Sequence, residues 1–139
     1  MTTQMSPDKR QRIRHAVRFF YDVQKLRIQS GNRAGGQDED SAIALDEDDV
    51  AFMATQSEGL EQLEADALKE VTRLIKNVPI YKNWLKNQSG CGPTMAGVIL
   101  SEIDIHHCEP MSQLWSYCGL GVGEDGRTQR RQQGKKAGF

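Results

Sequence analysis

Residues 84–100 read WLKNQSGCGPTMAGVIL, and a helix, a tight turn and a second helix are written in that order. Trp84 and Leu85 close one helical pattern. Ser89-Gly90-Cys91-Gly92-Pro93 cannot continue it, because two glycines supply left-handed or close-approach geometry and Pro93 lacks an N–H. Pro93 suits the first turn of a new helix, on which Met95, Val98, Ile99 and Ile103 are expected to fall on one apolar side. Ala96 and Gly97 are small enough to let a neighbouring helix approach closely.

The spacing G-h-G-P-x-x-A-G-h-h-L resembles the helix-hairpin-helix motif of DNA-binding proteins. In that motif, backbone N–H groups at the turn and at the start of the second helix hold a phosphate. The physics is general, since a helix N-terminus presents unpaired donors and a partial positive charge. A plainer reading stands beside it: the glycines only make a bend.

On the N-terminal side, a short helix over 80–88 leads into the turn. Before it runs a long helix, 49–77, in which Leu60, Leu63, Ala67, Val71, Leu74 and Val78 step by three and four like a heptad seam. Leu68 and Ile75 thicken the stripe, Gly59 weakens the middle, and Pro79 ends or kinks the helix. Such a helix either packs along the first helix or pairs with a second copy, so a homodimer is expected of this seam. Residues 31–48 read as an acidic linker. The carboxylates Asp46 to Asp49 are adjacent and cannot all converge on one metal, so they are assigned to the start of the following helix.

The chain opens with a helix over 6–29: Ser6 as N-cap, Pro7 at the first helical position, Asp8 in the first turn. Its apolar positions are Ile13, Ala16, Val17, Phe20, Val23 and Leu26, widened by Phe19, Tyr21 and Ile28, and Ser30-Gly31-Asn32 is expected to end it. Arg10, Arg14 and Arg18 form a stripe, either a solvated face or a contact for phosphate.

Beyond the turn, a helix over 94–104 and a connector lead to a short helix over 110–118. Leu114, Trp115 and Cys118 are read as core contacts and Gly119 as the closing residue. Residues 121–139 carry five glycines, and all five cations of that segment, Arg127, Arg130, Arg131, Lys135 and Lys136, lie in 127–139. By composition this is a flexible basic tail.

The chain has 139 residues and a net charge of −1 that conceals blocks. Residues 1–34 hold eight Lys/Arg against two acids, and residues 35–66 hold eleven Asp/Glu with no Lys or Arg. Block order informs about partners in a way that the average does not, although any one run also reads as a solvated face. No run of eighteen apolar residues exists and the first residues lack a signal-peptide core, so no membrane association and a cytoplasmic location are expected. Three cysteines, Cys91, Cys108 and Cys118, without a framework spacing suit a reducing compartment. His106-His107-Cys108 lacks the spacing of a metal site, so no metal and no cofactor are expected.

GCGPTMAGVILSEIDI, then PMSQLWSYCGL, then DGRTQRRQQGKK resembles the C-terminal domain of the RuvC-like insertion-sequence transposases that use a bridge RNA to choose donor and target DNA. The residues that match are Gly90, Gly92, Pro93, Ala96, Glu102, Ile103, Tyr117, Gly119, Leu120, Gly126, Arg130 and Lys135. The resemblance covers roughly residues 80–136, and the long helix before it is similar in placement to that family's coiled coil. Two departures stand out. The length leaves no room for the family's nuclease domain, and residues 121–126, GVGEDG, hold no serine where the family has its nucleophile. The family pattern also runs past the lysines, so the chain is expected to be truncated at Phe139 relative to it.

The expected protein is therefore all-α, a small helical domain with a long coiled-coil-like helix and a helix-hairpin-helix motif. Its parts are a basic N-terminal helix (1–30), an acidic linker (31–48), a long helix available for dimerisation (49–79), the helix-hairpin-helix domain (80–120) and the basic tail (121–139). Its expected role is non-catalytic binding of DNA or RNA, with no enzyme activity. Lys86, Gly90, Gly92, Thr94, Arg127, Arg130, Arg131, Lys135 and Lys136 would carry the binding. The alternative is a phage- or plasmid-borne, anti-CRISPR-like inhibitor that binds a host nucleoprotein complex, with the acidic block resembling a phosphate backbone.

Overall fold

The protein is described by a computed structural model over residues 5–35, 46–108 and 111–127. Those residues form α1 (Pro7–Gly35), α2 (Glu47–Ile75), α3 (Pro79–Asn83), α4 (Pro93–Glu102) and α5 (Met111–Tyr117), with 3-10 turns at Leu85–Asn87 and Ile105–His107. Among them is no strand, only an isolated bridge at Val122, and the fold is all-α. The chain divides into two compact units, residues 1–101 and 102–139.

In the first unit α1 and α2 pack against each other as an antiparallel hairpin. Ser6 Oγ accepts from the Lys9 N–H at 3.2 Å and Pro7 opens α1, as its start signals predict. The helix does not stop at Ser30-Gly31-Asn32. Gly31 is not in the left-handed range, and a glycine that stays helical costs only about 1 kcal/mol, which weakens a helix without ending it. At the start of α2, Asp46 caps the helix by accepting from the Asp49 N–H at 2.8 Å, and Glu47, Asp48 and Asp49 fill the first turn. The acidic cluster thus serves the helix dipole. Pro79 does not kink α2; Val78 leaves the helical range and Pro79 becomes the first residue of α3. The helix expected over 80–88 breaks at Trp84 (φ −137°, ψ −62°) and resumes as the 3-10 turn.

The core joins Ile13 and Val17 of α1, Val71 and Ile75 of α2, Val78, Tyr81, Leu85, and Ala96 and Leu100 of α4. Two apolar faces differ from their sequence patterns. On α2 the buried line is Ala67, Val71 and Ile75, whereas Leu60 and Leu74 are half-buried and Leu63 is exposed. The seam turns toward α1 because the partner helix lies within the chain. On α4 the buried residues are Ala96, Gly97, Leu100 and Ser101; Met95 is exposed, and Val98 and Ile99 only half-buried. Close approach selects the small residues here: a Cβ added at Gly97 would stand 2.7 Å from Val17 Cγ2 and 3.1 Å from Val71 Cγ1. On α1, Ile13, Val17, Phe20 and Val23 are buried, while Ala16 is half-buried and Leu26, Phe19, Tyr21 and Ile28 are exposed.

Charge follows the same pairing. Helix α1 holds eight Lys/Arg and two Asp/Glu, and α2 eight Asp/Glu and two Lys/Arg, giving net charges of +6 and −6. Arg27 grips the Glu64 carboxylate, which also accepts from Gln24 Nε2 at 3.2 Å. The basic and acidic helices thus meet at the Arg27–Glu64 ion pair, while Arg12, Lys25, Glu58 and Glu61 remain exposed. Arg14, one of the expected stripe of three, points inward: its Nη2 donates to the Ser101 carbonyl at 2.9 Å in the last turn of α4, where carbonyls lack helical partners.

In the second unit, Gly119 (φ +78°) closes α5 with paired bonds, Leu120 N–H to Trp115 O at 2.8 Å and Gly119 N–H to Ser116 O at 3.1 Å. The core role expected of α5 is not met. Leu114 is half-buried, whereas Trp115 is 58% exposed and Cys118 is exposed. Leu114 and Trp115 stand about 100° apart on this seven-residue helix, and only the Leu114 side is partly covered. The start of the tail is a defined turn: the Gly126 N–H donates to Gly123 O at 3.0 Å, and Asp125 Oδ1 accepts from the Arg127 N–H at 3.1 Å.

Candidate nucleic-acid interface

The turn between the 3-10 segment and α4 is set by few groups. Leu85 is buried and anchors the incoming side. Gly90 has φ +78°, a conformation that side chains disfavour, so the sequence needs glycine there. The Cys91 N–H donates to Gln88 O at 3.1 Å, and the Ala96 N–H to Gly92 O at 3.0 Å, which starts α4. Gly92 differs from Gly90 in that its φ is not left-handed; at both, a Cβ would meet nothing within 4 Å among the described residues. Nothing in the fold itself demands a glycine at 92.

At the N-terminus of α4, Pro93 brings no N–H, Thr94 is half-buried, and no acidic residue lies in the first turn. The helix dipole at this end is left without a compensating carboxylate from that turn, in contrast to α2. Lys86 is exposed on the 3-10 turn. Lys82, in the last turn of α3, is also exposed and joins the cations expected from the sequence. The four-residue step from Lys82 to Lys86 was its available signal. Trp84 between them is exposed as well.

The structure therefore brings Lys86, Gly90, Gly92 and Thr94 together around one turn of the first unit. Arg127 is exposed in the second unit. Arg130, Arg131, Lys135 and Lys136 lie outside the described residues. Elsewhere Asp104 is occupied locally, accepting from the His106 N–H at 3.2 Å and pairing with His107 Nδ1 at 2.8 Å. Among the described residues no three His, Cys, Asp or Glu side chains gather where they could hold a metal, and no helix is long and apolar enough to cross a membrane. No family model, curated protein or solved structure matches this chain.

Proposed function

We propose that the protein is a non-catalytic nucleic-acid-binding module that holds backbone phosphate at the Gly90–Thr94 turn. The observation that carries this reading is Gly92, a glycine whose missing side chain serves no contact among the described residues, placed at the N-terminus of a helix with no acid in its first turn. A phosphate oxygen approaching the first free N–H groups of α4 would use that open space. Lys82 and Lys86 add exposed cations beside the turn, and the tail arginines and lysines are a second, separate source of positive charge. Contacts of this kind go to phosphate and carry little base preference.

Titration of the protein into labelled duplex DNA, single-stranded DNA and RNA at low salt tests the reading. Binding to at least one of them, weakened by Gly92→Val with the fold intact, is the expected result. No affinity for any of the three sinks it. The protein-binding inhibitor then becomes the better account, supported by the exposed acids Glu47, Asp48, Asp49, Glu58 and Glu61 along α2.

A further inference from the structure

We propose that two copies of this chain pair through the side of the α1–α2 hairpin turned away from α4, each α1 lying on the α2 of the other copy. Of the seam that suggested a dimer in the sequence, Ala67, Val71 and Val78 are buried inside the chain while Leu63 stays exposed. A different line is left over. Arg12, Phe19 and Leu26 recur every seven residues on α1, and Leu63 and Glu70 do so on α2; seven residues make about two turns, so each set forms one stripe. Glu70 is held chiefly by its hydrogen bond from Arg73 and also feels the Arg12 charge, so the Arg12 end of one stripe and the Glu70 end of the other lie near each other. Helix α4 lies on another side, because Gly97 meets Val17, roughly 140° round α1 from Arg12 at 100° per residue. Phe19, Leu26 and Leu63 remain 49%, 49% and 43% exposed.

The occupant is decided by charge and level. A two-fold pairing through this side has two arrangements, because the axis runs either along the helices or across them. An axis across them lays α1 on α1, +6 on +6, and α2 on α2, −6 on −6. An axis along them lays each basic helix on the acidic helix of the other copy, which is the complementary choice. Gln24 and Arg27 both reach Glu64, so Leu26 and Leu63 stand at nearly one level, within roughly 1.5–3 Å along the hairpin. The axis along the helices then seats Leu26 of each copy on Leu63 of the second copy, twice.

Sedimentation of the full chain, with circular dichroism as a check on folding, tests this. Wild type is expected to dimerise, more weakly as salt rises. Leu26→Lys and Leu63→Glu are each expected to raise the dimer Kd by roughly a hundredfold or more, since each sets a charge against a leucine without a partner. Both sites are half-exposed, so the helices should persist; should either variant unfold, Leu26→Ser and Leu63→Ser replace them, each expected to raise the Kd roughly tenfold through lost apolar burial. Mixing Leu26→Lys with Leu63→Glu is expected to restore a one-to-one dimer. A wild type that stays monomeric at the highest concentration overturns the proposal, as does a dimer that survives both single changes. A mixture that remains monomeric overturns the alignment of α1 on α2.

Discussion

Gly97 and Val17 are in contact so close that no side chain fits between them: a Cβ at 97 would lie 2.7 Å from Val17 Cγ2. Valine is short and branched, and both Val17 and Val71, which a Cβ at 97 would meet at 3.1 Å, are buried. Neither can swing aside without moving a helix. Gly97→Ala gains up to about 1 kcal/mol of helix propensity, but overpacking a tight core costs about 1–3 kcal/mol, so the expected net is a lower melting temperature, and Gly97→Val lower still. Gly59, helical with nothing within 4 Å of a built Cβ, gives the opposite sign. Gly59→Ala should stabilise by about 0.5–1 kcal/mol. Thermal unfolding of both variants checks the contrast.

Arg14 joins α1 to the end of α4 through the Ser101 carbonyl. A hydrogen bond from a charged donor contributes about 1.5–3 kcal/mol. Arg14→Met, which keeps much of the apolar stem, is expected to lose roughly that amount in urea unfolding. Were Arg14 a solvated member of a basic stripe, the same change would be neutral in stability and would weaken nucleic-acid binding instead.

Arg27 holds the Glu64 carboxyl below its usual range, first through their hydrogen bond, and Arg73 does the same for Glu70. A carboxyl with a depressed folded pKa contributes stability that is present above its unfolded pKa and is lost as pH falls through the folded value. Stability should therefore be flat near neutrality and fall below about pH 5. Glu64→Gln should be less stable at neutral pH and show a shallower decline in acid. Equal slopes for wild type and variant would mean that this pair is not what the acid limb reports.

Several helix ends were legible because their signals are local: Ser6 as a cap, the acids of 46–49 at the start of α2, Pro93 in a first turn and Gly119 as a stop, whereas Pro79 as the first residue of α3 was not. What the residues did not disclose was which side each helix turns inward. Met95, Val98 and Ile99 look like the core of α4, yet Ala96 and Gly97 take it, because hydrophobicity marks what prefers burial and crossing distance selects what fits. Leu63 looks like seam and Ile75 like an addition, yet Ile75 is fully buried and Leu63 exposed, since the direction of α1 was not in the pattern of α2. The charge blocks show the same division between local and tertiary information. Each block is visible alone, and the pairing of Arg27 with Glu64 needs the hairpin. At the turn, Gly90 and Gly92 look equivalent as letters; only the backbone separates them.

That separation makes the phosphate reading testable apart from folding. Gly90→Ala forces a side chain into the left-handed range and should cost about 1–2 kcal/mol of stability whatever the turn binds. Gly92→Ala meets open space and an ordinary φ, so it should leave stability within about 0.5 kcal/mol of wild type. If phosphate approaches there, the same variant should weaken binding to DNA or RNA without changing its dependence on salt, because no cation has been removed. The tail supplies the complementary measurement. On a duplex each neutralised phosphate adds about −0.9 to the slope of log K against log salt, so Arg130→Ala with Arg131→Ala should flatten it by roughly two units if each holds one phosphate. A lowered intercept for Gly92→Ala and a flattened slope for the arginine pair would assign separate work to turn and tail. Binding unchanged in Gly92→Ala, together with complete loss in the arginine pair, would leave the turn as a bend and the tail as the contact.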